Sequence, residues 1–318
     1  MQHKARLIGL PKLQPIVTIL VATCNGQLFL EEQLLSIESQ TWPNVDLLIS
    51  DDGSSDSTLE IASSFVQGWK KGKVVIIGGP QEGFAENFRS MLLNDNVNGD
   101  FVAFCDQDDI WKPEKLSNAI NVLSEAEPGQ PMLYCSRTRF YPDGGKIRMS
   151  PHFRKPPSFR NALVQSIAGG NTMVMNRVAF DLLRESARRT SFVSHDWWAY
   201  LIVTGCGGRI CYNPQADILY RQHGTNLVGA NSTFMARVDR VRMLLNGRFR
   251  HWTEVNLAGL DLCVDMLTPK ARKRLMDFRD VRHSSLIKRL RALRKSEVYR
   301  QTFFGQVGLK VGCALGLL

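Results

Sequence analysis

The sequence is 318 residues long, 44% hydrophobic and 22% charged, with a formal net charge of +10. That apolar content supplies a folded core and excludes a disordered chain, while no apolar run is long enough for a membrane-spanning helix, the best two (16–24 and 307–318) reaching about half the required length. Seven scattered cysteines, odd in number and without a Cys-x-x-Cys pair, exclude a disulfide framework and a zinc ribbon and fit a reducing cytoplasm.

Early charges at Lys4, Arg6 and Lys12 precede an apolar stretch, but Pro11 and Pro15 interrupt it, so Ile16 to Ala22 is expected to be a buried strand and not a signal peptide. Further strands are expected at Val45 to Ser50, Val74 to Ile77 and Phe101 to Cys105. Between them, helical patterns occupy Leu28 to Gln40, stopped at Trp42-Pro43, then Ser57 to Gly68, opened by a Ser57-x-x-Glu60 capping box, then Phe84 to Leu93. The order βαβαβαβ predicts a mostly parallel sheet flanked by helices. In such sheets ligands bind beyond the carboxyl ends of the strands, and the polar clusters fall there: Thr23-Cys24-Asn25, Asp51-Asp52-Gly53-Ser54, Gly78-Gly79 onward, and Asp106-Gln107-Asp108-Asp109. Neither a GxGxxG fingerprint nor a phosphate-binding P-loop is present.

From residue 130 strands are expected at Met132 to Arg139 and Ile167 to Met175, and helices at Arg177 to Ser186 and Asp196 to Thr204. A turn-rich segment runs from Pro142 to Pro157. Residues 1–230 hold 22 Lys and Arg against 23 Asp and Glu, whereas residues 231–318 hold 18 against 7, so the whole excess of positive charge is C-terminal. There Leu286, Leu290 and Leu293 recur at helical spacing among Lys288, Arg289, Arg291, Arg294 and Lys295, the pattern of a basic amphipathic helix. No nucleic-acid module accompanies that charge, and aromatic residues are not interleaved with it, so nucleic acid is not the expected partner. Three divisions follow: an extension over 1–15, a near-neutral main unit over 16–230 and a basic helical region over 231–318.

Asp106 and Asp108 flank one residue at a strand end, where extended backbone points both carboxylates to the same side and offers hard oxygen ligands to Mg2+ or Mn2+. A cation so held neutralises a diphosphate leaving group. The plainer alternative is a polar turn ahead of the helix near Pro113, with Asp109 as its cap. A phosphatase, with the first Asp as nucleophile, is a chemical rival, but that motif wants Thr or Val where Ile110 stands and normally follows a chain's first strand. Asp51 and Asp52 either form an ordinary turn or accept hydrogen bonds from a nucleoside.

Taken together, Ile16 to Gly26, Leu47 to Asp56 and Phe104 to Leu116 resemble glycosyltransferase family 2, and the Asp-Gln-Asp-Asp-Ile-Trp run from Asp106 to Trp111 resembles its bacterial rhamnosyltransferase-like subgroup. Gly83 to Phe88 looks like that family's Gly-Phe-x-x-Asn segment near the nucleotide pocket, with Gly83 and Asn87 at the matching positions. The resemblance, covering about Ile16 to Gly229, implies a GT-A fold, a nucleotide-diphosphate sugar donor, a divalent cation and inversion at the anomeric carbon. It sets the nucleoside over Thr23, Asn25, Asp51 and Asp52, and the metal and diphosphate at Asp106, Gln107 and Asp108. It also implies one general base, matched by Asp196 in the run from Ser194 to Tyr200, with Trp197 or Trp198 as a stacking face for the acceptor sugar. The alternative is that Asp196 caps its helix and the tryptophans are core.

Gly169, Gly170 and Asn171 precede an apolar strand, as expected where backbone approaches an acceptor sugar, or simply where the chain turns tightly. Arg221, His223 and Asn226 form a set of donors for phosphate oxygens, His223 being also a candidate third metal ligand. The Gln-x-x-Arg-Trp motif and membrane helices of processive synthases are absent, which favours single addition. The expected activity is transfer of a sugar, rhamnose by subgroup likeness, to a saccharide or lipid-linked saccharide in cell-surface polysaccharide synthesis, with a non-catalytic nucleotide- or glycan-binding protein as the other alternative. The basic C-terminal region would hold such an enzyme against the anionic inner face of the membrane, or else be a solvated appendage or oligomer contact.

Overall fold

A computed structural model describes residues 14–142, 148–222, 247–282 and 285–318. The N-terminal half follows the expected alternation: β1 (Val17–Thr23), α1 (Leu30–Glu38), β2 (Val45–Asp51), α2 (Thr58–Gly68), β3 (Val74–Gly78), α3 (Phe84–Leu93) and β4 (Phe101–Asp106). Then come β5 (Ile110–Trp111), α4 (Lys115–Leu123), β6 (Met132–Pro142), β7 (Arg148–Met149), α5 (Phe159–Ala162), β8 (Val174–Asn176), α6 (Arg177–Arg189), α7 (His195–Gly205) and β9 (Arg209–Gln222). Helices α8 (Arg248–Leu262), α9 (Pro269–Arg279), α10 (Leu286–Ser296) and α11 (Phe303–Leu315) complete the described chain.

The strands form one sheet in the order β3-β2-β1-β4-β8-β6-β9-β5, with β7 on β6. Strands β3, β2, β1 and β4 are parallel, so their carboxyl ends align: Thr23 pairs with Asp51, Ala22 with Asp106, and Asp51 with Gly78. Beyond β4 the sheet is mixed, because β8 runs antiparallel to both β4 and β6. The central strands β1, β2 and β4 are mainly apolar and buried, as expected where helices cover both faces of a sheet. Leu20, Leu48, Val102 and Phe104 pack on one side, and Val17, Ile19, Val21, Leu47, Ile49 and Ala103 on the other.

Two local expectations are corrected. Of the expected Ile167 to Met175 strand only Val174 and Met175 lie in a strand, β8; Gly170–Thr172 is a 3-10 turn, closed by hydrogen bonds from Thr172 N to Gly169 O (3.0 Å) and Met173 N to Gly170 O (2.7 Å). Ser57 makes no side-chain capping bond; Asp56 Oδ1 instead accepts from Thr58 N at 3.1 Å at the start of α2. Residues beyond 247 are helical, and Leu257, Leu260, Phe278, Leu293, Leu309 and Cys313 bury themselves in the same apolar cluster as Leu20 and Phe104. No helix among the described residues is long and apolar enough to cross a membrane.

Candidate active site

The aligned strand ends are stitched into a rim by side chains. Gln107, just past β4, pairs with the backbone of Cys24, just past β1, accepting from Cys24 N at 2.8 Å and donating to Cys24 O at 2.9 Å. This pair of hydrogen bonds mimics a further rung of the sheet and fixes the chain between Asp106 and Asp108. Asn25, at φ +50, donates its N–H to Ser54 Oγ (2.8 Å) and accepts from Ser55 N on Oδ1 (2.9 Å), tying the β1 loop to the β2 loop.

Asp51 and Thr23 are both buried. Asp51 accepts from Thr23 Oγ1 (2.9 Å), Ser54 Oγ (2.6 Å) and Ser54 N (2.9 Å), so these two side chains brace the rim from within. Asp52 is partly exposed and accepts from the N–H groups of Gln81 (2.6 Å) and Gly83 (2.9 Å), holding the β3–α3 loop over the strand ends. Gly83 sits at φ +90, a backbone region that side chains oppose, which is why glycine opens α3. Asn87, buried one turn into α3, accepts from Ser50 Oγ at 2.5 Å and donates to Ser50 O at 3.2 Å, locking the helix to β2.

Asp106, Gln107 and Asp108 are partly exposed at the mouth of this rim, and Asp109 is buried beneath it. Removal from water, then Asp108 and Asp196, push the Asp106 carboxyl up to about 7, with Lys115 opposing. Asp109 is raised well above the carboxylate range, chiefly by burial and then by Asp108 and Asp106. One Asp109 oxygen accepts from Asn171 Nδ2 at 2.5 Å, whereas Oδ1 has no hydrogen-bond partner. Lys115, at the start of α4, is fully buried with its Nζ 2.9 Å from the Trp111 ring centroid, and burial brings its pKa down to about 7 against the pull of nearby acids.

Asp196 lies in the first turn of α7, partly exposed, with Oδ1 accepting from Ser194 Oγ and Trp197 N, each at 2.6 Å. Burial raises its pKa, and those two hydrogen bonds partly offset the rise. Its neighbour His195 is buried against Phe88, ring centroids 3.7 Å apart, and Phe104, 4.7 Å apart; neither ring nitrogen has a hydrogen-bond partner. Burial brings its pKa down to about 3, so the imidazole is neutral.

Several expectations for the acceptor side are revised. Trp197 and Trp198 are core residues, 6% and 0% exposed, with their indole N–H groups donating to Ala162 O and Ser186 Oγ, so neither presents a ring face to a sugar. Asn171 is also buried and points at Asp109 instead of an open surface. A Cβ on Gly170 would stand 1.9 Å from His195 Nε2, so this glycine makes room for the imidazole and not for a ligand. Arg221 forms an ion pair with Glu32 of α1 and covers the Phe29 ring at 5.0 Å. His223 and Asn226 lie outside the described residues.

Lys115, His195 and the buried state of Asp109 belong to this site without a sequence signal of their own. All three lie inside quoted motifs, but only burial reveals their service. Among the described residues no three His, Cys, Asp or Glu side chains form a ready cation cage. Asp106 and Asp108 nevertheless fit a cation of the Mg2+ or Mn2+ kind, which takes one or two carboxylates and completes its shell with water and substrate phosphates. The crowding of Asp106 with Asp108 and Asp196 supports that fit, since neighbouring positive charge would relieve it.

The chain resembles known proteins in both sequence and architecture. The "dTDP-rhamnosyl transferase RfbG" of Shigella flexneri is 29% identical over 237 residues, covering 72% of this chain and 81% of the relative. The Campylobacter jejuni "GalNAc(5)-diNAcBac-PP-undecaprenol beta-1,3-glucosyltransferase" is 31% identical over 111 residues, 35% of this chain and 34% of that one. The solved mannosyltransferase PcManGT of Pyrobaculum calidifontis, in complex with GDP-Man and Mn2+, superposes with a TM-score of 0.54 at 18% identity, covering 96% of this chain and 81% of that one; this shows the GT-A fold alone. The model for "Glycosyl transferase family 2" matches residues 18–184, over half the chain, from within β1 to within α6. The chain is a glycosyltransferase and belongs to glycosyl transferase family 2.

Proposed function

We propose that this glycosyltransferase inverts the anomeric centre as it moves one sugar, rhamnose, from a nucleotide-diphosphate donor to a saccharide or lipid-linked saccharide in bacterial cell-surface polysaccharide synthesis. The observation that carries this reading is the rim itself: the carboxyl ends of β1, β2 and β4 align so that Asp106 stands in register with Ala22 beside Asp51, while Asp196 opens α7 near enough for its charge to contribute to the rise of the Asp106 carboxyl. An acceptor hydroxyl held at Asp196 would face a donor whose diphosphate rests at Asp106 and Asp108. The rhamnose assignment is supported by the likeness to a dTDP-rhamnosyl transferase, and the lipid-linked acceptor by the likeness to a transferase named for an undecaprenol-diphosphate substrate.

Asp106 and Asp108 would hold the divalent cation, and its chemistry there would be neutralisation of the charge that develops on the departing diphosphate. Asn25, Asp52 and the loop that Asp52 ties down through Gln81 and Gly83 bind the nucleoside; Thr23, Asp51 and Asn87 keep that rim rigid from below. Asp196 accepts the proton of the attacking hydroxyl as the new bond forms. A carboxylate whose pKa stands above its ordinary value is the better base for this work, and burial at the α7 terminus supplies that rise. Lys115, beneath the cluster, is a positioning residue that offsets the charge of Asp106 and Asp109.

Residues 16–230 carry the chemistry in this reading, and the basic residues of 231–318 hold the enzyme at the anionic cytoplasmic face of the membrane, where a lipid-linked acceptor would be. A transfer assay tests it: a panel of nucleotide sugars, with dTDP-rhamnose among them, offered with lipid-linked saccharide and Mn2+. Turnover of dTDP-rhamnose above the other donors supports the proposal, and preferred turnover of a different sugar refutes the donor assignment.

A further inference from the structure

Charge alone directs attention to α10, but the neighbouring helix carries the larger apolar surface. On α11 the residues Leu309, Gly312 and Cys313 are buried on one side. On the other, Phe303, Val307, Val311 and Leu315 recur every fourth position and are exposed, Phe303 by 76% and Leu315 by 62%. That spacing aligns them along one face, with exposed Phe304 beside them and Lys310 as the helix's sole charge. The outward side of α10 mixes exposed Ile287 and Leu290 with exposed Arg291 and Arg294. Arg289 of α10 donates to Cys313 O of α11 at 3.3 Å, so the two surfaces belong to adjoining helices.

An exposed apolar face of this extent marks a contact site, and its surroundings say with what. Residues 286–318 contain seven Lys and Arg and a single acid, Glu297. A second copy meeting this face through a two-fold axis would set those cations against themselves, which like-charge repulsion opposes. A sheet of lipid phosphates over an apolar interior matches both halves of the surface: apolar side chains below the headgroups, cations among them.

We propose that α11 lies in the plane of an anionic lipid surface with Phe303, Phe304, Val307, Val311 and Leu315 inserted below the headgroups, while Lys288, Arg291, Arg294 and Lys310 engage lipid phosphates. This rests on the reading that the C-terminal region meets an anionic membrane and deepens it, assigning the salt-resistant, hydrophobic half of the contact to a helix too short to span.

The test is co-sedimentation of the full chain with vesicles of phosphatidylcholine alone or mixed with phosphatidylglycerol, at low and high salt. Wild type should bind the mixed vesicles, with a fraction persisting at high salt. The pair Phe303→Ser/Phe304→Ser should lose about tenfold or more of the partitioning and all of the persistent fraction. The pair Arg291→Ser/Arg294→Ser should lose mainly the salt-sensitive part. All four side chains are at the surface, so an unchanged unfolding midpoint is expected; Val307→Ser/Val311→Ser serves if the phenylalanine pair does not fold. Wild-type binding retained by the apolar variants overturns the role of α11 and leaves the electrostatic reading standing. No wild-type binding at low salt removes both. A wild-type dimer that the same variants dissociate, without any vesicle effect, overturns the proposal in favour of self-association.

Discussion

Asn171 Nδ2 and Asp109 Oδ2 lie 2.5 Å apart, both residues buried, joining the turn before β8 to the acidic loop after β4. Asp109 thus anchors the loop that carries Asp106 and Asp108, and Asn171 anchors Asp109. Asn171→Ala leaves a buried carboxylate oxygen without its donor and should cost about 1–3 kcal/mol, read as a lowered midpoint in urea unfolding. Asn171→Ser, which can still donate, should recover part of the loss; an unchanged midpoint in both would show that the pair contributes nothing to the fold.

Asp196 should separate binding from chemistry. Asp196→Asn keeps an acceptor for Ser194 Oγ and Trp197 N but cannot take a proton, so transfer should fall by about 10²–10⁴-fold while nucleotide affinity holds. Near-normal turnover in this variant would assign the base elsewhere.

The pH dependence of metal binding follows from the Asp106 carboxyl, pushed up to about 7 by burial and neighbouring acids. A cation needs the ionised form, so below that pH each proton bound must first leave. Apparent Mn2+ affinity should therefore rise from pH 5.5 toward pH 7 by roughly tenfold per unit and level off above. A profile flat across that window would contradict the assignment of Asp106 as a ligand.

His195 should make the protein acid-sensitive. Its folded pKa, about 3, lies below the unfolded value of about 6.5, so the unfolded chain takes up a proton that the folded one refuses, and stability drains as pH falls between the two by about 1.4 kcal/mol per unit. His195→Leu fills the same apolar slot between Phe88 and Phe104 without that proton. Its denaturant midpoint should fall less steeply than that of wild type between pH 6.5 and 4.5; parallel curves would mean that the imidazole is protonated or solvated in the folded state.

Gly170 carries a steric prediction. An alanine Cβ 1.9 Å from His195 Nε2 cannot be accommodated without moving the ring, so Gly170→Ala should destabilise by about 1–3 kcal/mol. His195→Ala in the same chain should relieve much of the loss, and full additivity of the two changes would argue against the contact.

The parallel half of the sheet was legible because β1, β2 and β4 are buried on both faces and read as mainly apolar runs, each ending in the polar residues of the rim. The placement of Asp106 and Asp108 at a strand end and of Asp196 at a helix start was legible from motif context. The direction in which side chains point was not legible. Trp197 and Trp198 sit next to Asp196 in sequence, but 3.6-residue periodicity turns them into the core, and Asn171 turns toward Asp109 because a 3-10 turn replaces the expected strand. Lys115 and His195 stayed hidden because their buried states depend on packing from α4, α7 and the glycine at 170, which no local pattern announces. The basic C-terminal helix was legible from charge, while the apolar face of α11 was not, since a 13-residue hydrophobic segment looks equally like core.

The most direct test of the central claim is calorimetry of nucleoside diphosphates, dTDP among them, with and without Mn2+, on wild type and on Asp106→Ala and Asp108→Ala. Wild type should bind a nucleoside diphosphate far more tightly with Mn2+ than without, and both variants should lose the Mn2+-dependent part while keeping the wild-type unfolding midpoint. Metal-dependent binding that survives in both folded variants would contradict the assignment of these two carboxylates as the metal and diphosphate anchor.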